Sequence, residues 1–293
     1  MTLDPQTIST PQLQGYLQSA VAPRPIAFAS TVDQNGNINL SPFSFFNVFS
    51  ANPPILIFSP ARRVTNNTTK HTLENILAVP EVVINIVNYP MVEQTSLAST
   101  EYEKGIDEFV KAGFTALPSE RIKPPRVAES PVAFECVVEQ VIPLGTAGGA
   151  GNLVMARVVL IHIREEYLNP AGQLDTTKLD LVARMGANWY CRASGDALFE
   201  IPKPLTTRGI GVDQLPLHVR NSTLLTGNNL GRLGNMEDLP DETGLAATRD
   251  MMEVTAALQL PEKEKIIALH RIAQQLLEKG ETAMALAVLW LVH

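Results

Sequence analysis

The chain has 293 residues, enough for one large core or for a domain with an extension. Hydrophobic residues make up 45% and charged residues 18%, the balance of a folded globular protein. A formal net charge of -7 excludes a general nucleic-acid binder, which needs a strongly basic face.

The opening "MTLDPQTISTPQLQGYLQSA" has no basic stretch leading into an apolar core, so no secretory leader is expected. Residues 25–31 are mostly apolar or small and run through the turn signal "DQNGN" into the extended "INLSPFSFF", which predicts a hairpin. "PPILIFSP" predicts a short strand fenced by prolines. "KHTLENILA" carries Leu73, Ile76 and Leu77 at helical spacing, and the β-branched "EVVINIVN" after it predicts a strand.

Two helix-like runs follow, "VEQTSLAST" and "IDEFVKAGF". "VAFECVVEQVIPLG" and "NLVMARVVLIHI", joined by "TAGGAG", predict a second hairpin. That link lacks the Gly-Lys-Ser/Thr ending of a phosphate loop. "DTTKLDLVARMG" predicts a short helix capped by Asp175 or Thr176 and ending near Gly186. Strands at short intervals with a few helices predict a mainly β protein, a β-barrel with helical additions.

After about residue 201 the chain becomes dense in Gly, Pro and Asn for more than forty residues, as in "RGIGVDQLPLHVRNSTLLTGNNLGRLGN". A structureless loop of that length is uncommon, so it is expected to wrap over the main body in ordered turns. "EKEKIIALHRIAQQLLEKG" and "ETAMALAVLWLV" predict a helical hairpin with Gly280 as the C-cap. The expected organisation is a domain over 1–200 and an extension over 201–293. The apolar last helix needs a cover, expected from the barrel or from a second copy of the chain. It is far shorter than the roughly 20 residues that span a bilayer, so no membrane is expected and the cytoplasm is the default location.

Cys136 and Cys191 lie far apart, and His162, His218, His270 and His293 are scattered. No disulfide and no metal is expected from that spacing, and Cys136, inside an apolar run, reads as a core thiol.

The most informative stretch lies between Asp33 and Glu74: forty residues with no acid, although 30 acids in 293 residues would put about four there. The gap holds Arg62, Arg63, Lys70 and His71, with Ser41, Ser44, Asn47, Ser59 and Thr72 as neutral donors. A phosphate dianion is favoured by cations and donors and repelled by carboxylates. Lys70 and Thr72 stand where the predicted helix begins, and its dipole and free N–H groups favour an anion there.

"RPIAFASTVDQNGNINLSPFSFFN", "PPILIFSP", Lys70, Thr72 and Asn75 in "KHTLENI", and the later "VARMGANWYCR" together resemble the FMN-binding split-barrel flavin reductase family. The similarity runs over about residues 23–190. It implies a Greek-key split barrel that forms a homodimer, with FMN near the dimer interface. It implies that Ser41, Pro42, Phe43, Ser44 and Asn47 line the isoalloxazine, and that Ser59, Arg62, Lys70 and Thr72 meet the phosphate. Thr31, which ends the first strand motif, joins the cofactor-binding set, and Arg184, Gly186 and Tyr190 fall near the flavin or the dimer seam.

The implied activity is hydride transfer from NADH or NADPH to FMN, and onward transfer to free flavin or another acceptor. No general acid or base is required of the protein, because hydride transfer is the cofactors' own chemistry. Two alternatives stay open: an FMN electron relay not reduced by nicotinamide, and a non-enzymatic FMN-binding or partner-binding protein. His71 departs from the family pattern, which has Asp at that position, and makes the site more electropositive. Residues 201–293 lie outside the resemblance.

Overall fold

Helix α1 (Thr10–Ala20) precedes the first hairpin of the structure, a computed structural model that describes residues 1–292. β1 (Ala27–Val32) and β2 (Ile38–Phe43) pair antiparallel. The turn between them is organised by Asp33, whose carboxylate accepts from the Asn35 and Asn37 N–H groups at 2.8 and 2.9 Å, while Gly36 takes φ +87°. β3 (Phe46–Ala51) and β4 (Pro54–Phe58) form the next hairpin. Then come α2 (His71–Ala78), β5 (Glu81–Ile86), α3 (Val92–Leu97), α4 (Glu108–Ala112) and the two-residue strands β6 (Ala116–Leu117) and β7 (Arg126–Val127). β8 (Val132–Pro143) and β9 (Asn152–Ile163) are the long hairpin predicted around the Gly-rich link.

Seven strands form one antiparallel sheet in the order β2-β1-β5-β8-β9-β4-β3. Its two edge strands, β2 and β3, are consecutive in the chain and separated only by Ser44 and Phe45. Three Cα steps span at most about 11 Å, so the sheet must roll until its edges meet. The result is a barrel with a seam at residues 44–45. The run "INLSPFSFF" is thus two strands on opposite sides of the seam rather than one extended piece.

The barrel interior holds Ala27, Ala29, Phe43, Leu56, Phe58 and Ile84, and α2 inserts Leu73 and Ile76 among them. The alternate residues of β1 face outward under α3 and α4, with Phe28 edge-on to Phe114 at 5.2 Å. β1 is therefore buried on both faces. Phe43 and Phe46 contribute to the interior, whereas Phe45 and Phe49 are exposed, because the seam interrupts strict alternation.

Beyond β9 the predicted helix over 175–186 is shorter than expected. α5 covers only Thr176–Leu179, capped by Asp175 as predicted, and Asp180 at φ +50° ends it. The β-branched and apolar residues that follow become β10 (Val182–Arg184), paired with β11 (Tyr190–Arg192).

The chain separates into two compact units, with the boundary between Phe199 and Glu200. In the second unit the Gly- and Asn-rich segment alternates turns, as expected, with short helices that were not: α6 (Leu217–Arg220), α7 (Gly227–Gly234) and α8 (Glu242–Arg249), followed by α9 (Met252–Leu258). A capping box between Thr226 and Asn229 starts α7. α10 (Glu262–Glu278) and α11 (Thr282–Trp290) form the predicted hairpin, turned at Gly280 with φ +83°. The apolar α11 buries Ala285 through Leu289 against Leu233, Val254, Leu269 and Leu277, so helices of its own unit cover it.

Candidate functional site

The two acids that bound the acid-free stretch are both engaged, Asp33 in its turn and Glu74 with Thr69 Oγ1 at 2.7 Å and Lys104 Nζ at 3.2 Å. Between them, one polar cavity is lined by Ser41 of β2, by Arg63, Lys70 and Thr72, and by Glu101 and Glu108 from beyond the stretch. Lys70 is the N-cap residue of α2 and makes no side-chain cap bond, so the first-turn N–H groups receive no cap from it. Cations and a helix start converge there, as the sequence predicts for an anion site.

Thr72 is buried, and its hydroxyl donates to Asn39 Oδ1 at 2.7 Å. Asn39 Nδ2 donates to Glu108 Oε1 at 2.9 Å, and the Leu40 N–H donates to Oε2 at 2.9 Å. This chain of bonds fixes α2, β2 and α4 against one another and turns the Thr72 proton inward. Burial pushes the Glu108 carboxyl above the usual range, against the hydrogen bonds that favour its ionised form. His71 is held below the ordinary imidazole value, first by burial, against the opposing pull of Glu74 and with help from Arg63, Lys104 and Lys70, so it is neutral at neutral pH. Arg63 and Lys70 supply the cavity's positive charge.

The two adjacent arginines diverge. Arg63 donates Nε–H to Glu101 Oε1 at 2.7 Å, and Lys70 Nζ meets the same oxygen at 3.0 Å. Arg62 instead donates to Asn67 Oδ1 at 2.6 Å and does not line the cavity. A pair of arginines in a turn carries no periodicity, so no sequence signal distinguishes them.

The other predicted residues do not line this cavity. Thr31 is fully buried and accepts from Asn75 Nδ2 at 3.1 Å, tying α2 to β1. Ser59 Oγ accepts from the Asn152 N–H at 3.0 Å, where a Cβ on Gly151 would approach to 2.6 Å. Pro42 follows Ser41 on β2, and Phe43 faces the interior, 5.4 Å from Phe58. Asn47 is exposed on β3 and accepts from the Val48 N–H.

Ser44, at the seam, accepts from Arg24 Nε at 3.5 Å, and Arg24 also donates to the Met185 carbonyl at 3.0 Å. Arg24 thereby joins the seam to the segment that holds Tyr190, a role that the "RP" motif alone does not reveal. Tyr190 lies under the Arg184 guanidinium at 4.5 Å and borders a second hollow with Gly186 and Trp189.

Among the described residues no cluster of His, Cys, Asp or Glu could hold a metal ion, and no helix is long and apolar enough to cross a membrane. His293 lies outside the described residues. Burial pushes the Cys136 thiol up, as suits a core position. The second unit carries a cavity of about 540 Å³ between α8 and α11, lined by Met236, Leu239, Ala247, Met284 and Ala287 with Asp238 and Asp241. It is apolar and lacks a cation, so its chemistry is not that of an anion site.

A rolled antiparallel sheet with a seam and a helix plug is a split barrel, and a polar cavity lined by two cations and two carboxylates stands at the start of that helix. Residues 19–178, more than half of the chain, match the flavin reductase like domain, and the chain belongs to that family. An uncharacterized protein of Halalkalibacterium halodurans is 36% identical over 192 residues, which cover 65% of this chain and 91% of the relative. Nitrilotriacetate monooxygenase component B of Bacillus cereus is similar with a TM-score of 0.64 and 28% identity, covering 69% of this chain and 98% of that one. A split-barrel protein of Shewanella frigidimarina assigned as a flavin reductase has a TM-score of 0.58 and 26% identity, covering 69% of this chain and 99% of that one. The family match ends before the second unit begins.

Proposed function

We propose that the first unit binds FMN and acts as a flavin reductase, taking hydride from NADH or NADPH and passing electrons to free flavin or another acceptor. The observation that carries this reading is the convergence of Arg63, Lys70 and the start of α2 with Ser41 in one cavity. Those groups fit a phosphate monoester: two cations, a hydroxyl and helix-start N–H donors. A flavin bound there would supply the redox chemistry, its ring accepting hydride and releasing electrons.

The chain's own part is binding and orientation. Arg63 and Lys70 hold the anionic end. Ser41 and Pro42 on β2, Ser44 at the seam and Asn47 on β3 offer small side chains and edge-strand backbone groups to a flat ring. Arg24 keeps the seam fixed against the segment of Tyr190. Fixing a ring and a nicotinamide in register lowers the entropic part of the barrier and needs no protein acid or base. A cytoplasmic location and a homodimer belong to the same proposal, and the dimer is supported by Val48 and Phe49 on β3, which are 63% and 64% exposed.

Anaerobic stopped-flow mixing of the FMN-loaded protein with NADH and with NADPH tests the activity. Bleaching of the flavin absorbance by at least one nicotinamide is expected. Failure of both to bleach it faster than free FMN would leave a flavin relay and contradict the reductase reading.

A further inference from the structure

Glu101 sits between the two cations of the proposed phosphate cavity. Its Oε1 alone contacts both of them, Arg63 Nε at 2.7 Å and Lys70 Nζ at 3.0 Å. A carboxylate oxygen held by an arginine and a lysine occupies the position that a phosphate oxygen takes between the same groups. We infer that Glu101 is a displaceable stand-in for the flavin's phosphate, and that it is the residue that sets how strongly this site prefers a phosphorylated flavin over an unphosphorylated one. This inference rests on the proposed function above.

Three features make Glu101 a competitor and not a fixed strut. Its side chain is 58% exposed, whereas the other carboxylate at the cavity, Glu108, is buried and bonded to Asn39 and Leu40. It lies in the connection between α3 and α4, outside any helix or strand, so it can turn away without breaking the ladder. Arg63 and Lys70 are the less exposed partners, at 15% and 30%, so the carboxylate is the side of the pair that can move out to solvent, and a phosphate dianion carries a larger charge to the same two cations.

Charge balance points the same way. The two formal positive charges of Arg63 and Lys70 are cancelled by the two negative ones of Glu101 and Glu108, and His71 adds none at neutral pH. A dianion entering that cavity meets repulsion unless Glu101 swings out. Riboflavin, with no phosphate, has no reason to displace it.

The test is a titration of wild-type protein, Glu101→Gln and Lys70→Ala with FMN and with riboflavin, followed by flavin fluorescence. Inorganic phosphate serves as a competing probe. Glu101→Gln is expected to tighten FMN binding about three- to fivefold, to leave riboflavin unchanged, and to make inorganic phosphate a better competitor of FMN. Glu101→Gln in the Lys70→Ala background should gain less, because one of the cations it frees is gone. Weaker FMN binding in Glu101→Gln, or an equal change for both flavins, would overturn the inference and make Glu101 a support for the cations. If Lys70→Ala, or Arg63→Ala should Lys70→Ala not fold, moves FMN and riboflavin equally, the phosphate reading of the cavity itself fails. If those variants discriminate and Glu101→Gln does not tighten FMN, only the role of Glu101 fails.

Discussion

Arg63 donates to Glu101 at the cavity, whereas Arg62 donates to Asn67 away from it, so the two neighbours should respond differently to truncation. Arg63→Ala is expected to weaken FMN by about 1 to 3 kcal/mol, and Arg62→Ala to leave the ratio of FMN to riboflavin affinity unchanged. Equilibrium titration of both variants with both flavins checks this. Glu108 accepts from two donors, Asn39 Nδ2 and the Leu40 N–H, and glutamine can accept on only one side. Glu108→Gln should therefore destabilise the fold by about 1 to 3 kcal/mol, read as a lower thermal midpoint, even though burial disfavours the native charge. Ser41 and Lys70 were legible in the sequence because acid depletion and a helix start are local properties. The choice between Arg62 and Arg63, and the inward direction of the Thr72 proton, depend on Asn67, Glu101 and Asn39, which only the tertiary fold brings near.

At the scale of elements, the Gly-rich connection between β8 and β9 lies against the segment that leads to the cavity. The Ala150 carbonyl accepts from the Arg62 N–H at 2.8 Å, and the Gly149 N–H donates to the Arg62 carbonyl at 3.0 Å. Gly151→Ala would drive a Cβ to 2.6 Å from Ser59 Oγ and disturb its bond with Asn152. A loss of about 1 to 3 kcal/mol is expected, with weaker FMN binding because the Arg62–Arg63 turn rests on that loop. Chemical denaturation and a flavin titration of the variant check the two effects. Both hairpins and α2 were readable from alternation, helical spacing and Asp33 turn chemistry. The break at Ser44–Phe45 and the early end of α5 were not. An extended run reads the same on either side of a seam, and Asp180 in the left-handed region is not a signal that sequence periodicity carries.

At the scale of the molecule, each unit has its own hydrophobic core, and the second has its own pH response. His270 is buried, with Nδ1 at 2.8 Å from Ser222 Oγ and Nε2 at 3.0 Å from His218 Nδ1. Burial, and then His218, push its pKa down to about 4 from the ordinary 6.5. The native imidazole stays neutral while the unfolded chain takes up a proton, so this group opposes folding progressively as pH falls from about 6.5 to about 4 and adds nothing further below that. The full effect is on the order of 3 kcal/mol. Thermal melts at pH 7, 5.5 and 4.5 should expose it, and His270→Gln should flatten that part of the dependence. The apolar α11 was legible as a helix in need of cover, but which helices supply that cover depended on α6 to α9, hidden in a segment whose Gly and Asn content reads as turns. For the proposed dimer, Phe49→Glu should lower the mass measured by light scattering to that of one chain, and a wild-type monomer would contradict it.

In the proposed function a phosphorylated flavin is held by Lys70 and its neighbours at the start of α2. Titration of wild-type protein and Lys70→Ala with FMN and riboflavin tests it most directly. Lys70→Ala is expected to weaken FMN by about 1 to 3 kcal/mol and riboflavin far less. Equal losses for both flavins, or no loss for FMN, would contradict it.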